Sequence, residues 1–349
     1  MEKLLLIRFS AIGDVVMTVP VIYALAKQYP DLEITMLSKE SMHPYFKDMP
    51  PNVKFKGVRL KADYHGLNGL MKLYNELSEE NFNAVGDLHD VIRSKFLRWR
   101  FSLNKEIRVR HINKGRSQKK ALISAKKEKQ LIQLPSSFER YAQVLSELGY
   151  PVKLEFSSIW ENSSCPELSS IPMFKTVKGK DKWVGIAPFA AHSEKIYPLE
   201  KMAQVLSALE KIEDVQVFLF GAGKKEKDTL EQWANFYSRI TSVAGKYSKR
   251  EELILISHLD VMVSMDSANM HLASLVGTPV ISIWGATHPC LGFMGWGQNP
   301  DNAIQISLDC RPCSVYGKKP CARGDLACLN GIQPETVVNK VLEIINEKK

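Results

Sequence analysis

Long apolar runs are missing from this 349-residue chain. No stretch approaches the roughly 20 residues that cross a bilayer. The N-terminal patch in MEKLLLIRFSAIGD meets a charge at Arg8, which reads as a buried first strand and not as a secretory signal. A cytoplasmic location is the expectation, with the six cysteines kept reduced. The G-x-G-x-x-G spacing is also absent, which disfavours a nicotinamide or flavin dinucleotide site. Despite a net charge of +9, no basic motif interleaved with aromatics occurs, so nucleic acid is not an expected partner.

Acids are scarce in one place. Between Lys105 and Lys129 ten cations (Lys105, Arg108, Arg110, Lys114, Arg116, Lys119, Lys120, Lys126, Lys127 and Lys129) stand against two acids, Glu106 and Glu128, a local net charge of +8. The remainder is nearly neutral. Such a stretch suits an anionic partner such as phospholipid headgroups or a phosphorylated glycan, or is a solvated surface loop.

What is present is the composition of a globular protein, 45% hydrophobic and 24% charged, long enough for two domains. Strand and helix patterns alternate. Lys3 to Arg8 is a strand, the turn Phe9 to Asp14 follows, and a helix is expected from about Val15 to Gln28. Gly13 would let backbone approach a ligand closely, and Asp14 is either a helix N-cap or a carboxylate at a strand's carboxyl end. Strands over 33–37, 53–58 and 83–89 alternate with helices over 41–49 and 67–79, the last strand leading through Asp87, His89 and Asp90 to Arg93 and Ser94. Ser136 to Leu148 carries a capping-box pattern. The periodicity loosens from Gly149 to about Lys180, and a second alternating series begins at Trp183. The expected division is 1–165, a linker over 166–180, and 181–349. Alternation of this kind argues for α/β, doubly wound parallel sheets.

Within the second series, Val261 to Pro289 reads as a complete strand, helix and strand. Asp266 and Ser267 are N-cap residue types ahead of an apolar-faced helix over 268–276. Asp266 therefore either caps that helix or borders a crevice whose helix amides suit an anion. Downstream, Cys310, Cys313, Cys321 and Cys328 form C-x2-C-x7-C-x6-C. Only the first pair has common metal-ligand spacing, so bound zinc, a disulfide and packed thiols all remain open.

RFSAIGDVVMTVPVIYAL, APFAAHSEKIYP, FLFGAGKKE and VSMDSANMHLASLVGTPVISIWGATHP, in this order, resemble glycosyltransferase family 9, the ADP-heptose:lipopolysaccharide heptosyltransferases. The resemblance extends over nearly the whole chain. It implies the GT-B fold, two Rossmann-like domains facing across a cleft, the N-terminal one meeting the acceptor and the C-terminal one holding the nucleotide sugar. It implies inverting transfer of heptose from ADP-heptose to the inner core of lipopolysaccharide, with no metal and no cofactor. Transfer of another sugar from its nucleotide, or a sugar-nucleotide epimerase, is the alternative on the same fold.

By the same resemblance Asp14 matches the general base, and Lys195 the lysine near the donor phosphates. Asp266 matches an aspartate on sugar hydroxyls. The amides of Ser267, Ala268 and Asn269 would face the diphosphate, with Gly13, His271 and Thr287 beside the donor and Glu226 on the ribose. His89, Arg93, Lys119 and Lys120 fall on the acceptor side. The implied acceptor is a lipid-anchored core oligosaccharide, reached by peripheral contact with the anionic cytoplasmic face of the inner membrane. The chain departs from the family at Ala190 and Ala191, where hydroxyl-bearing residues precede the lysine, and at His89, where many relatives carry glutamine.

Overall fold

Buried β-branched and aliphatic runs such as KLLLI and VMVSM form strands covered on both faces, and the amphipathic segments between them form the covering helices. A computed structural model describes residues 2–124, 130–161, 163–171 and 178–347. Contacts divide the chain into two units. The first is Met1–Lys114 with Pro135–Glu161, and the second is Gly115–Leu134 with Asn162–Lys349.

In the first unit β1 (Lys3–Ile7), β2 (Glu33–Lys39), β3 (Val53–Val58), β4 (Ala84–Asp87) and β5 (Arg108–His111) form a parallel sheet in the order β3-β2-β1-β4-β5. Its helices are α1 (Ile12–Val16), α2 (Thr18–Gln28), α3 (Gly66–Ser78), α4 (Ile92–Ser102) and, beyond α5 (Arg116–Leu122) of the other unit, α6 (Ser137–Glu147). The expected capping box of α6 is present: Ser136 Oγ accepts from the Glu139 amide at 3.1 Å and Glu139 from the Ser136 amide at 2.6 Å.

In the second unit the parallel strands are β6 (Lys182–Ala187), β7 (Val215–Leu219), β8 (Ile240–Ser242), β9 (Val261–Met265), β10 (Val280–Ile283) and β11 (Ala303–Ile304). Their order is β11-β10-β9-β6-β7-β8. The helices are α7 (Leu199–Glu210), α8 (Gly223–Ala234), α9 (Lys249–Ser257), α10 (Ala268–Leu275), α11 (Ala327–Asn330) and α12 (Pro334–Glu347). Both sheets reverse strand order beside their first strand. Such a switch point opens a crevice at the strands' carboxyl ends: between β1 and β4 in the first unit, and between β6 and β9 in the second.

Four differences from the sequence expectation bear on function. The helix after β1 starts at Ile12, not Val15, and is interrupted at Met17. Pro20 has no N–H to offer the Val16 carbonyl, and the Thr18 hydroxyl donates to the neighbouring Val15 carbonyl at 2.7 Å. Second, 41–49 is only a 3₁₀ segment, Glu40–Tyr45, with Pro44 inside it. Third, the boundary near 165 is not a single cut. Gly115–Leu134 belongs with the second unit, because Leu122 and Leu134 join Cys290 and Leu291 in one apolar cluster and the Leu134 amide bonds the Cys290 carbonyl at 2.9 Å. Fourth, that unit resumes at Asn162, and the expected linker is tied to it through Lys178, which meets Asp260 at 2.7 Å. Of the basic stretch, Lys126, Lys127 and Lys129 lie outside the described residues.

Candidate active site

At the carboxyl end of β1 the chain places Arg8, buried to 5% exposure. A charge there is held by dense contacts. One guanidinium nitrogen donates to the Leu88 carbonyl at 2.5 Å, the other meets Asp14 Oδ2 at 2.9 Å, and the Tyr141 ring lies 5.7 Å away. Asp14 is not the N-cap, which is Ala11. It occupies the third helical position of α1, and Gly13 lies inside the same helical turn and not at the preceding loop. The Asp14 side chain is 35% exposed. Both of its bonds, to Arg8 and to the Ala11 amide at 3.3 Å, fall on Oδ2. Among the described residues nothing bonds Oδ1.

From the neighbouring strand end, Asp87 is fully buried and organises the next loop. Its Oδ1 accepts the amides of His89 and Asp90 at 2.9 and 2.8 Å, and Arg98 reaches Oδ2 at 3.2 Å. His89 is thereby set beside Phe9, whose amide donates to His89 Nδ1 at 3.3 Å. Burial, reinforced by the positive charges of Arg8 and Lys114, pushes the His89 pKa down to about 3. The ring is neutral at physiological pH, and because Nδ1 accepts, the proton sits on Nε2. Arg93 is exposed on the first turn of α4. Lys119 and Lys120, both expected on the acceptor side, are placed differently. Lys119 is the packed one. It is 5% exposed, belongs to the second unit, and holds its ammonium 4.0 Å from the Phe293 ring centroid. Lys120, its neighbour, is exposed.

In the second unit the switch point carries the other group of residues. Lys195, in a 3₁₀ turn after β6, meets Asp266 Oδ2 at 2.9 Å, and the buried Thr287 hydroxyl donates to the same oxygen at 2.8 Å. Asp266 therefore does not cap α10. Ser267 holds the N-cap position, and the Asp266 carboxylate, just after β9, ties together the loops that follow β6 and β10. Ser267, Ala268 and Asn269 are partly exposed at the N-terminus of α10, and His271 is buried one turn on. Lys195 lies against Gly317 (φ +73°), where an added Cβ would stand 2.6 Å from the lysine stem. Thr287 is fully buried and acts on this group through Asp266. Glu226 Oε2 accepts the Ala222 amide at 2.8 Å, the geometry of a helix-terminal acid. Phe189 and Ala190 pack on the core, and the nearby Ser193 hydroxyl is bonded to Glu194 at 2.8 Å, so the loop before Lys195 directs no hydroxyl of its own at the lysine.

Sequence reasoning missed two residues that hold this geometry. In the sequence Arg8 marks only the end of an apolar run; a charge directly after a buried strand is the available signal. Arg311, buried, braces the loop after β10 with bonds to the carbonyls of Gly285 (2.6 Å), Ile306 (2.6 Å) and Thr287 (2.9 Å). Nothing local announces that role.

No disulfide joins the described cysteines, and no group of three or more His, Cys, Asp or Glu side chains among the described residues is arranged to hold a metal. The thiols are chemically unequal. Burial raises the Cys290 and Cys328 pKa values. At Cys321 burial acts in the same direction, but the amides of Leu326, Arg323, Gly324 and Asp325 outweigh it and the pKa is lowered. Iodoacetamide at pH 7.5 is expected to alkylate Cys321 at least tenfold faster than Cys290 or Cys328, read by peptide mass spectrometry. Equal rates would contradict this environment.

Two Rossmann-type sheets, each with an anchored carboxylate at its switch point, define a glycosyltransferase-like architecture, the GT-B fold. The same fold is found in a family 9 glycosyltransferase from Veillonella parvula (17% identity, TM-score 0.73, covering 99% of this chain and 98% of that one). It is found again in the E. coli ADP-heptose lipopolysaccharide heptosyltransferase II (18% identity, TM-score 0.69, 99% of each). In sequence the chain is 26% identical over 309 residues to lipopolysaccharide heptosyltransferase 3 of Escherichia coli, 84% of each protein. The family model "Glycosyltransferase family 9 (heptosyltransferase)" matches residues 70–322, well over half of the chain, and the protein belongs to that family.

Proposed function

We propose that this enzyme transfers heptose from ADP-heptose, with inversion, to the lipid-anchored inner core of lipopolysaccharide at the cytoplasmic face of the inner membrane. The observation that carries this reading is the Lys195–Asp266–Thr287 group beside the N-terminus of α10. A departing nucleoside diphosphate gathers negative charge. An ammonium and a set of helix amides at one strand end are the groups that stabilise such charge without calling on a metal. With Oδ2 of Asp266 occupied by Lys195 and Thr287, Oδ1 is left for a sugar hydroxyl. Glu226 would turn from the Ala222 amide to the ribose hydroxyls.

The first unit supplies the acceptor chemistry. Asp14 Oδ1 takes the proton of the attacking hydroxyl, while Arg8 fixes Oδ2 and keeps the carboxylate oriented. The positive charges that act on His89, from Arg8, Lys114 and Lys39, suit a phosphorylated glycan. His89 Nε2–H and Arg93 are this unit's acceptor contacts in this reading; Lys120, expected on the acceptor side, is carried by the second unit. The relatives' names, which specify lipopolysaccharide and ADP-heptose, support it.

A thermal-shift screen with ADP, GDP and UDP tests the donor. At 100 times its Kd a ligand stabilises by about 2.7 kcal/mol, so ADP is expected to raise Tm by several degrees and the other two by less than one. A preference for UDP would overturn the heptose reading and favour transfer of another sugar or an epimerase.

A further inference from the structure

The helix α4 turns apolar residues in two directions. Leu97 and Phe101 are buried in the first unit's core. On the opposite side Ile92 is 86% exposed, Trp99 54% and Leu103, at the C-cap, 55%. With Phe96, which is half-buried and also packs against that core, they follow the spacing i, i+4, i+7, i+11, which at about 3.6 residues per turn draws one narrow stripe along the helix. Phe96 and Trp99 rings lie 6.1 Å apart, so the stripe is continuous at its centre.

Its flanks are basic. By helical spacing Lys95 falls on one side of the stripe, and Arg93 and Arg100 on the other. Arg100 lies over the Tyr74 ring at 4.6 Å and the Trp99 ring at 5.8 Å, and Lys105 follows the helix end. Between Asp90 and Glu106 the sequence holds no acid. The inward cation, Arg98, is neutralised by Asp87 and Asp90. Asp90 also meets Lys95 at 3.5 Å, but its carboxylate is nearly buried while the lysine is half exposed. An exposed Trp–Ile–Leu stripe with a cationic excess on both sides matches a layered partner that is apolar beneath an anionic surface.

We propose that the outer face of α4 docks this enzyme on an anionic lipid bilayer. Ile92, Trp99 and Leu103 enter the headgroup boundary, while Lys95, Arg100 and Lys105 meet lipid phosphates. This rests on the reading of the acceptor as lipid-anchored, and it moves membrane contact from the 105–129 stretch, where Lys119 is packed away, to a defined helix. A protein partner fits less well, because a face with a cationic excess on both flanks and no exposed acid between Asp90 and Glu106 lacks the mixed charge that fixes register between proteins.

The test is co-sedimentation of the full-length enzyme with vesicles of phosphatidylethanolamine and phosphatidylglycerol (3:1), compared with pure phosphatidylcholine vesicles. The wild-type protein is expected to pellet with the anionic vesicles only. The Ile92→Ser/Trp99→Ser/Leu103→Ser variant should lose at least tenfold in vesicle affinity, with an unchanged melting temperature and unchanged transfer to a lipid-free core oligosaccharide. Lys95→Gln/Lys105→Gln should weaken binding roughly fivefold per charge and flatten its salt dependence. Equal pelleting of wild type and the triple variant overturns the proposal, as does absence of pelleting while transfer to the lipid-free acceptor persists; neither result touches the transferase reading. A wild-type dimer in sedimentation velocity that the triple variant converts to monomer would assign the face to a second copy and also overturn it.

Discussion

Asp14→Asn is expected to lower kcat by roughly 10³-fold while the Kd for nucleotide sugar stays within about twofold. The substitution keeps the side chain's shape, and the amide oxygen still accepts from Arg8, which stands 2.9 Å from the carboxylate. What is lost is the basicity of the open oxygen. The donor-side residues Lys195, Asp266 and Thr287 share no partner with Asp14 and belong to the other unit, so donor affinity, read by isothermal titration calorimetry, is the internal control. Asp14→Ala differs in a diagnostic way. It leaves the buried Arg8 guanidinium without its carboxylate, so stability should fall together with activity. His89 is a poor rival for the base, since its pKa near 3 and its Nε2-protonated form leave it little proton affinity at working pH. Turnover near wild type in Asp14→Asn would remove Asp14 from the role.

The repeating strand and helix pattern carried most of the fold, because parallel strands buried on both faces and amphipathic helices leave strong local signals. The α6 capping box was legible for the same reason. Side-chain roles were legible only to the level of position. Sequence placed Asp14 and Asp266 at strand ends but left each balanced between capping and ligand contact, since an acid near a helix start satisfies both descriptions. Only the third dimension separated them, by bringing Arg8 to one and Lys195 with Thr287 to the other. Gly115–Leu134 was illegible on other grounds. Its membership depends on Leu122 and Leu134 meeting Cys290 and Leu291 more than 150 residues away in the sequence, and charge composition masked those few apolar anchors. The stripe on α4 was missed because Ile92, Phe96, Trp99 and Leu103 sit among arginines and lysines, and an apolar residue at helical spacing is ordinarily core.

Lys195→Met is expected to reduce kcat by 10²- to 10³-fold, the usual range for removing one group that stabilises transition-state charge, and also to destabilise the fold. The lysine is the cationic partner of a carboxylate only 7% exposed, and without it Asp266 keeps the Thr287 hydroxyl alone. Breaking a buried pair from one side costs about 3 kcal/mol, which for a domain of this size lowers Tm on the order of 5–10 °C. Adding Asp266→Asn separates the two effects. Lys195→Met/Asp266→Asn carries no uncompensated buried charge, so its melting temperature should return most of the way to wild type, while transfer stays as low as in the single Lys195 variant. Because Asp266 is itself assigned to the donor sugar, Asp266→Asn alone is the reference: stability that recovers while transfer stays well below that of Asp266→Asn means that the ammonium serves the departing diphosphate as well as the fold. If activity recovers in step with stability, Lys195 is only a structural counter-ion, and the stabilising charge must come from the amides of α10.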